Sequence, residues 1–180
     1  MHRSAAMNIM DESGADSLPL EIAGSIALLA IVLGLISYGL SAAMPAVNTA
    51  AADHEMLLLS GACSSLLVSG PRDLTDQGAF PSAIKTVDVV LPPGTEYVSM
   101  GEDPGSSSSH EGTVYYGVHG NKKAIVVNPH VKIRARDWYP DPSSHGHSTI
   151  YGSGKYRITI EAAYDPVTGE RYLLTCFTGC

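Results

Sequence analysis

One uncharged, strongly apolar segment near the N-terminus constrains this sequence more than any other feature. From Ile22 to Leu40 the chain consists mainly of leucine, isoleucine, alanine and glycine, and the apolar character extends from Leu18 to Met44. A helix needs about 20 such residues to cross the hydrocarbon core of a membrane. A helix in a soluble core carries a polar face, whereas this segment offers only two serines and one tyrosine between Ile22 and Leu40. We therefore predict a membrane-inserted helix, in contact with lipid.

The charged residues are concentrated outside this segment. They make up 16% of the chain, against about 25% in typical soluble domains. The region Pro71–Cys180 nevertheless has 12 acidic and 10 basic residues, an ordinary surface composition. The net charge of −7 argues against a nucleic-acid partner, because nucleic-acid binding requires a basic face.

The residues before the apolar segment fit a cleaved secretory signal poorly. They contain Arg3 but three acidic residues, and the apolar run exceeds the 7–15 residues of a signal peptide core. Cleavage near Ser41–Ala43 remains an alternative. Arg3 is the only basic residue upstream of the helix and Arg72 is the first one downstream, which predicts a cytoplasmic N-terminus and an extracytoplasmic C-terminal domain.

Beyond the apolar segment, Pro45 is expected to kink or end the membrane helix. The following residues predict a second helical stretch, residues 45–70, which packs on the domain and stops at Gly70-Pro71. Its apolar positions form two adjoining stripes, with Val47, Ala51, Leu58 and Ala62 on one and Leu59, Cys63 and Leu66 on the other. A second membrane pass is the alternative, but Met56–Val68 is short for a span.

From residue 71 onward the hydrophobic period changes from helical to alternating. Segments such as Ile84–Val89, Val131–Arg136 and Tyr156–Tyr164 predict strands, each with one buried and one solvated face. Gly120-Asn121 predicts a two-residue hairpin turn. The fold class is therefore α+β: a long N-terminal transmembrane helix, a second helical stretch, and a small antiparallel β-sheet or sandwich.

Two loops have low sequence complexity. Gly101–Gly112 and Tyr139–Gly154 are rich in serine, glycine and proline, and we expect both to be exposed and mobile.

We find no constellation of residues that predicts an enzyme, and no cofactor is expected. His145 and His147 are weak metal candidates, because they lie two residues apart in one of these loops without further ligands of suitable spacing. For Cys63, Cys176 and Cys180, free thiols are favoured over a Cys176–Cys180 or Cys63–Cys176 disulfide.

Glu21 is the only charged residue between Leu18 and Ala52. One interpretation is a hydrated carboxylate near the helix N-terminus, where the helix dipole favours negative charge. The other is a carboxylate that pairs with a neighbouring subunit when helices pack.

The N-terminal block from Gly14 through Ala15, Asp16 and Pro19 to Glu21, followed by the long apolar helix, resembles archaeal type IV pilin-like proteins with class III signal peptides. The resemblance implies a polar leader, residues 1–16, that a prepilin peptidase cuts after Gly14 or Asp16. It also implies that Glu21 pairs with the new N-terminus of an adjacent subunit.

The resulting hypothesis is a non-catalytic, pilin-like surface subunit that assembles with itself or with related subunits into a filament or secretion pseudopilus. Its parts would be the leader at 1–16, the transmembrane helix at 17–44, the second helical stretch at 45–70 and the extracytoplasmic β domain at 71–180. The main alternative is a single-pass envelope protein whose β domain binds another surface component without assembling. A ligand or metal sensor is a third hypothesis.

Overall fold

The computed structural model describes residues 17–75, 83–106, 109–136 and 148–179. One long N-terminal helix precedes a β-rich region made of two sheets, which confirms the predicted α+β class. The chain divides into two compact units, Met1–Met44 and Pro45–Cys180.

The helix, α1, runs from Ser17 to Leu67 and is 51 residues long. It continues through Pro45, so the expectation that proline could end the helix here is wrong. Proline removes one backbone donor and disturbs one turn, but the alanine-rich sequence that follows has a high helix propensity. The stop at Gly70 is as predicted, because this glycine adopts a left-handed φ of 84° just beyond the last turn.

The described part of the chain contains nine strands. They are β1 (Arg72–Asp73), β2 (Ile84–Leu91), β3 (Thr95–Met100), β4 (Thr113–Val118), β5 (Asn121–Val126), β6 (Val131–Ala135), β7 (Ser148–Tyr151), β8 (Gly154–Asp165) and β9 (Glu170–Gly179).

These strands form two sheets, and one of them is mixed. Sheet A has the order β1-β8-β9-β6, with β2 also paired to β8, and sheet B has the order β5-β4-β3-β7. The β1–β8 and β6–β9 pairs are parallel, whereas the other pairs are antiparallel. The prediction of a small antiparallel sheet or sandwich therefore holds for most strand pairs but not for these two, since alternation indicates which face of a strand is buried but not which strand it pairs with.

The C-terminal part of α1 and both sheets share one hydrophobic core. The helix contributes a buried stripe that includes Met56, Leu59 and Cys63, each fully buried. Of the two predicted stripes, this is the second. On the first stripe, Val47 and Leu58 are 60% and 54% exposed, whereas Ala62 is buried. The remaining core residues of the helix are Ala52 and Leu66.

The hairpin between β4 and β5 turns one residue earlier than predicted. Val118 pairs with Asn121, so the loop is His119-Gly120 and Asn121 already belongs to β5. Both loop residues have positive φ, 50° and 77°, as a type I′ turn requires. The backbone N–H of His119 donates to the carbonyl of Gly94 at 2.9 Å, which holds the histidine in this conformation.

The described residues of the two low-complexity loops include a strand and several hydrogen bonds. Residues 148–151 form β7, in which Ser148 and Ile150 are buried. The hydroxyls of Ser99 and Thr149, which face each other across β3 and β7, are 2.8 Å apart. At the end of the other loop, the carbonyl of Glu111 accepts the N–H of Ile133 at 2.8 Å. Small hydroxyl residues can therefore belong to a sheet when they hydrogen-bond across it.

Sheet A is apolar on both faces. Alternate residues of β8 enter the main core, while Ala163 forms a second cluster with Leu74, Tyr172 and Leu174. Glu161 belongs to this second face and is only 3% exposed. Its Oε1 lies 2.8 Å from Nε of Arg72, on the segment that follows α1, and its Oε2 lies 3.8 Å from Nη2 of Arg136. The ion pair between Arg72 of β1 and the buried carboxylate of Glu161 therefore stabilises the position of β1 in sheet A.

The two described cysteines are free and differ in reactivity. Cys63 is buried, and burial raises the pKa of its thiol to about 12, whereas Cys176 is exposed. We expect iodoacetamide at pH 8 to alkylate Cys176 in the folded protein and Cys63 only after denaturation, because the thiolate is the reactive form. Peptide mapping by mass spectrometry measures both, and rapid native alkylation of Cys63 would contradict this assignment. Cys180 lies outside the described residues.

Candidate membrane and assembly helix

The first half of α1 presents apolar side chains on every side. From Ile22 to Met44 the helix contains no charged residue and spans about 34 Å at 1.5 Å per residue, compared with about 30 Å for a bilayer core. Its most apolar window has none of its residues buried. The helix is therefore long and apolar enough to cross a membrane. Its exposed large side chains include Leu20, Ile22, Ile26, Leu28, Leu29, Ile31, Leu33, Leu35, Ile36, Tyr38 and Leu40.

Glu21 is exposed and lies at the start of this apolar surface. Its carbonyl accepts a hydrogen bond from the Ser25 hydroxyl at 2.9 Å. Its carboxylate forms no ion pair with any residue of the described ranges. Within the described residues α1 begins at Ser17, and Glu21 is the fifth of its residues. Both interpretations of Glu21, a hydrated carboxylate near the helix N-terminus and a carboxylate that pairs with a neighbouring subunit, stay predictions.

Several predicted site residues lie outside the described residues. These are the leader positions Gly14, Ala15 and Asp16, and the histidines His145 and His147. Within the ranges that the structure covers, no three His, Cys, Asp or Glu side chains lie close enough together to hold a metal ion.

The second half of α1 is fixed to sheet B by a polar cluster that sequence analysis did not identify. Tyr116 and Lys123 are cross-strand partners on β4 and β5, and both contact Asp53 of the helix. The Tyr116 hydroxyl donates to Oδ1 at 2.9 Å, and Nζ of Lys123 lies 2.6 Å from Oδ2. Asp53 could have indicated this cluster in the sequence, because a carboxylate next to the buried stripe of an otherwise apolar helix requires a polar partner.

Two further contacts lie along β2. Lys85 donates to the Ser65 hydroxyl at 3.0 Å, and the N–H of Val90 donates to Glu55 at 3.4 Å. Glu55 and Ser65 are ten residues apart, about 15 Å along the helix. Their partners Val90 and Lys85 are five residues apart, about 16 Å along the strand, and occur in the opposite order. The helix α1 and the strand β2 therefore run antiparallel, with matching distances between their contacts.

The Asp53 cluster makes stability pH-dependent. Partial burial raises the pKa of Asp53, but hydrogen bonds from Lys123 and Tyr116 and the charge of Lys123 outweigh it, so this pKa lies below 3.8. Because the pKa of Asp53 is lower in the folded than in the unfolded state, its ionised carboxylate stabilises the folded protein at pH values above the unfolded-state pKa. This stabilisation is lost progressively as the pH falls below about 4.

We expect Asp53→Asn to reduce the free energy of unfolding by about 1 kcal/mol at pH 7, a modest value because the Asp53 side chain is 37% exposed. The difference from wild type should become smaller as the pH is lowered from 7 to 3. Urea denaturation at both pH values measures it, and Lys123→Met should produce a similar loss at pH 7. A loss that is equally large at pH 3 would contradict the assignment.

The α+β architecture with one apolar helix defines only a broad class of protein. No family model, curated protein or solved structure matches the chain, so comparison with known proteins does not define its class more closely.

Proposed function

We propose that this chain is a membrane-anchored, pilin-like surface subunit. In this proposal, α1 inserts in the membrane through its first half and later bundles with the helices of copies or related subunits. The β domain lies on the extracytoplasmic side and the N-terminus on the cytoplasmic side. The observation that carries the proposal is the division of α1 into an apolar, exposed first half and a second half that is part of the domain core.

This division fits a subunit that first resides in lipid and then in a helical bundle. A helix that is apolar on all sides requires an apolar environment, and lipid or neighbouring helices both provide one. Three glycines of this half, Gly24, Gly34 and Gly39, have no other side chain within 4 Å of the position of a Cβ, so a partner helix can approach closely there.

Glu21 supports the assembly part of the proposal. A carboxylate that has no ion pair among the described residues and lies beside an extended apolar surface favours a partner that supplies positive charge in the assembled state. Cleavage of the leader after Gly14 or Asp16 would create a suitable ammonium group on the neighbouring subunit.

The first test is to determine the N-terminal residue and the intact mass of the membrane-extracted protein after expression with and without a prepilin peptidase. Loss of the residues up to Gly14 or Asp16 only when the peptidase is present supports the proposal. An intact leader under both conditions would contradict it and favour a single-pass envelope protein.

We expect Glu21→Ala to reduce filament or pseudopilus assembly by at least tenfold while membrane insertion is unchanged, because removing a buried charge pair in an assembly costs more than about 1.4 kcal/mol. Shearing of cells followed by quantification of the released subunit measures assembly, and membrane flotation measures insertion. Ser25→Ala is the matched control, since it lies one turn away and removes only a bond to the carbonyl of Glu21. Normal assembly of Glu21→Ala would argue strongly against the proposed role.

A further inference from the structure

The β domain contains a cavity of about 590 Å³, within the range of about 300–1,000 Å³ typical of small-molecule sites. It lies where the segment that enters β4, the beginning of β6 and the beginning of β9 come together. Its polar lining includes His110, Thr113, His130, Lys132, Glu170 and Arg171. None of these residues belongs to the proposed assembly helix.

The carboxylates in the cavity wall already have cationic partners. Glu170 lies 2.5 Å from Nζ of Lys132 and also accepts the Tyr172 hydroxyl. Glu111 forms an ion pair with Arg134. Glu170 is thus balanced by Lys132 of the lining, and Glu111 by Arg134, which does not itself line the cavity.

Arg171 is the remaining charged group of the cavity. It is exposed, and the described residues include no ion-pair partner for it. The lining as a whole has two acidic and two basic side chains, and Arg171 is the one of these cations that lacks an ion pair among the described residues. A planar guanidinium binds a carboxylate through two parallel hydrogen bonds, which fits a ligand with one carboxylate group.

Thr113 provides an independent indication of a ligand. It lines the cavity and is 2% exposed, and its hydroxyl has no hydrogen-bond partner among the described residues. Buried hydroxyls in folded proteins are nearly always hydrogen-bonded. The two histidine rings, His110 and His130, add donors and acceptors at the rim. The site thus offers several hydrogen-bonding groups besides the arginine.

We propose that this cavity binds a uronate, a sugar unit with one carboxylate and several hydroxyl groups. Arg171 binds the carboxylate, Thr113 and the histidines hydrogen-bond the hydroxyls, and Val126 and Val131 contact the C–H groups of the ring. A phosphate dianion fits less well, because Arg171 is the one lining cation without an ion pair among the described residues and balances only one of the two phosphate charges. This proposal requires neither cleavage of the leader nor assembly.

Saturation-transfer NMR on the full chain in lipid nanodiscs tests the site, with D-glucuronate as the probe and D-glucose and inorganic phosphate as competitors of known chemistry. We expect saturable transfer to glucuronate and at least tenfold weaker binding of glucose, since glucose lacks the charge-assisted hydrogen bonds. Phosphate should displace glucuronate only at a large excess.

Two variants locate the binding. Arg171→Gln should weaken glucuronate binding by about tenfold or more, whereas Lys155→Gln, which removes an exposed charge from residue 155 outside the cavity lining, should leave it unchanged. Thr113→Val should weaken binding about fivefold, the effect of one neutral hydrogen bond, without lowering the melting temperature of the ligand-free protein.

Three results would overturn the proposal. No saturable transfer from glucuronate would exclude the ligand class, and equal binding of phosphate or glucose would show that the cavity does not recognise a uronate. Unchanged binding by both Arg171→Gln and Thr113→Val would place the ligand elsewhere on the protein.

Discussion

Replacing Arg72 with alanine is expected to lower the free energy of unfolding by about 3 kcal/mol, because it leaves the carboxylate of Glu161 buried without its nearest cation. Glu161 is 3% exposed, and Nε of Arg72 lies 2.8 Å from its Oε1. Arg136 compensates little, since its guanidinium is 3.8 Å from the other carboxylate oxygen and more than half exposed. Urea denaturation of the full chain in detergent micelles, followed by near-ultraviolet circular dichroism, measures the loss.

Arg157→Ala is the matched control for this prediction. Arg157 binds Asp88 through the same nitrogen at the same 2.8 Å distance, but its side chain and that of Asp88 are 53% and 66% exposed. Exposed ion pairs contribute little to stability, so this variant should unfold close to the wild-type urea concentration. Equal losses from both variants would show that burial of Glu161 does not determine the effect.

Gly112→Ala is expected to destabilise the domain by a similar amount, about 3 kcal/mol, through overpacking against backbone. A Cβ at this position would lie 1.9 Å from the carbonyl oxygen of Asn128 and 2.7 Å from that of Val131. Neither backbone segment can move freely, because the carbonyl of Gly112 accepts the N–H groups of Val127 and Asn128 at 3.0 and 3.3 Å. The same denaturation experiment measures this loss.

Gly61→Ala distinguishes the steric effect from a general effect of replacing glycine. Gly61 lies within α1 and has no atom within 4 Å of its added Cβ. Alanine has a higher helix propensity, so this variant should gain about 1 kcal/mol. A Gly112→Ala protein as stable as wild type would contradict the close packing described for this turn.

The sequence predicted the parts of the fold that depend on local pattern. The apolar run at 18–44, the helix stop at Gly70 and the alternating strands all follow from periodicity and from the conformational preferences of glycine and proline. The existence of a helix was thus predictable, and so was one of its two candidate packing stripes, the one that contains Leu59 and Cys63.

The parts that sequence analysis missed depend on contacts between distant segments. The parallel β6–β9 pair joins Val131 to Arg171, and no local pattern specifies such a partner. β7 was missed because its serine and threonine hydroxyls find their partners on distant strands, Thr149 with Ser99 of β3 in the same sheet and Ser148 with Thr175 of β9 in sheet A. The one-residue error at the β4–β5 turn arose because the contact between His119 and Gly94 stabilises a histidine at positive φ.

The proposed sites were predictable to different degrees. Glu21 stands out in the sequence as a lone charge in an apolar segment. The cavity could not be predicted, since Thr113, Lys132 and Arg171 come from three separate strands whose adjacency depends on the sheet topology.

The position of β9 in sheet A determines when the domain can fold during synthesis. β9 is the described strand nearest the C-terminus, yet it lies between β8 and β6 rather than at an edge. Until β9 leaves the ribosome, β6 has no partner in this sheet and the core lacks Leu173. Strands that pair over long sequence separations form late. The core shared by the two sheets is therefore completed only after the last described strand has been synthesised, which favours a single late folding step and prolongs the time in which the unfolded domain is open to chaperones and to aggregation.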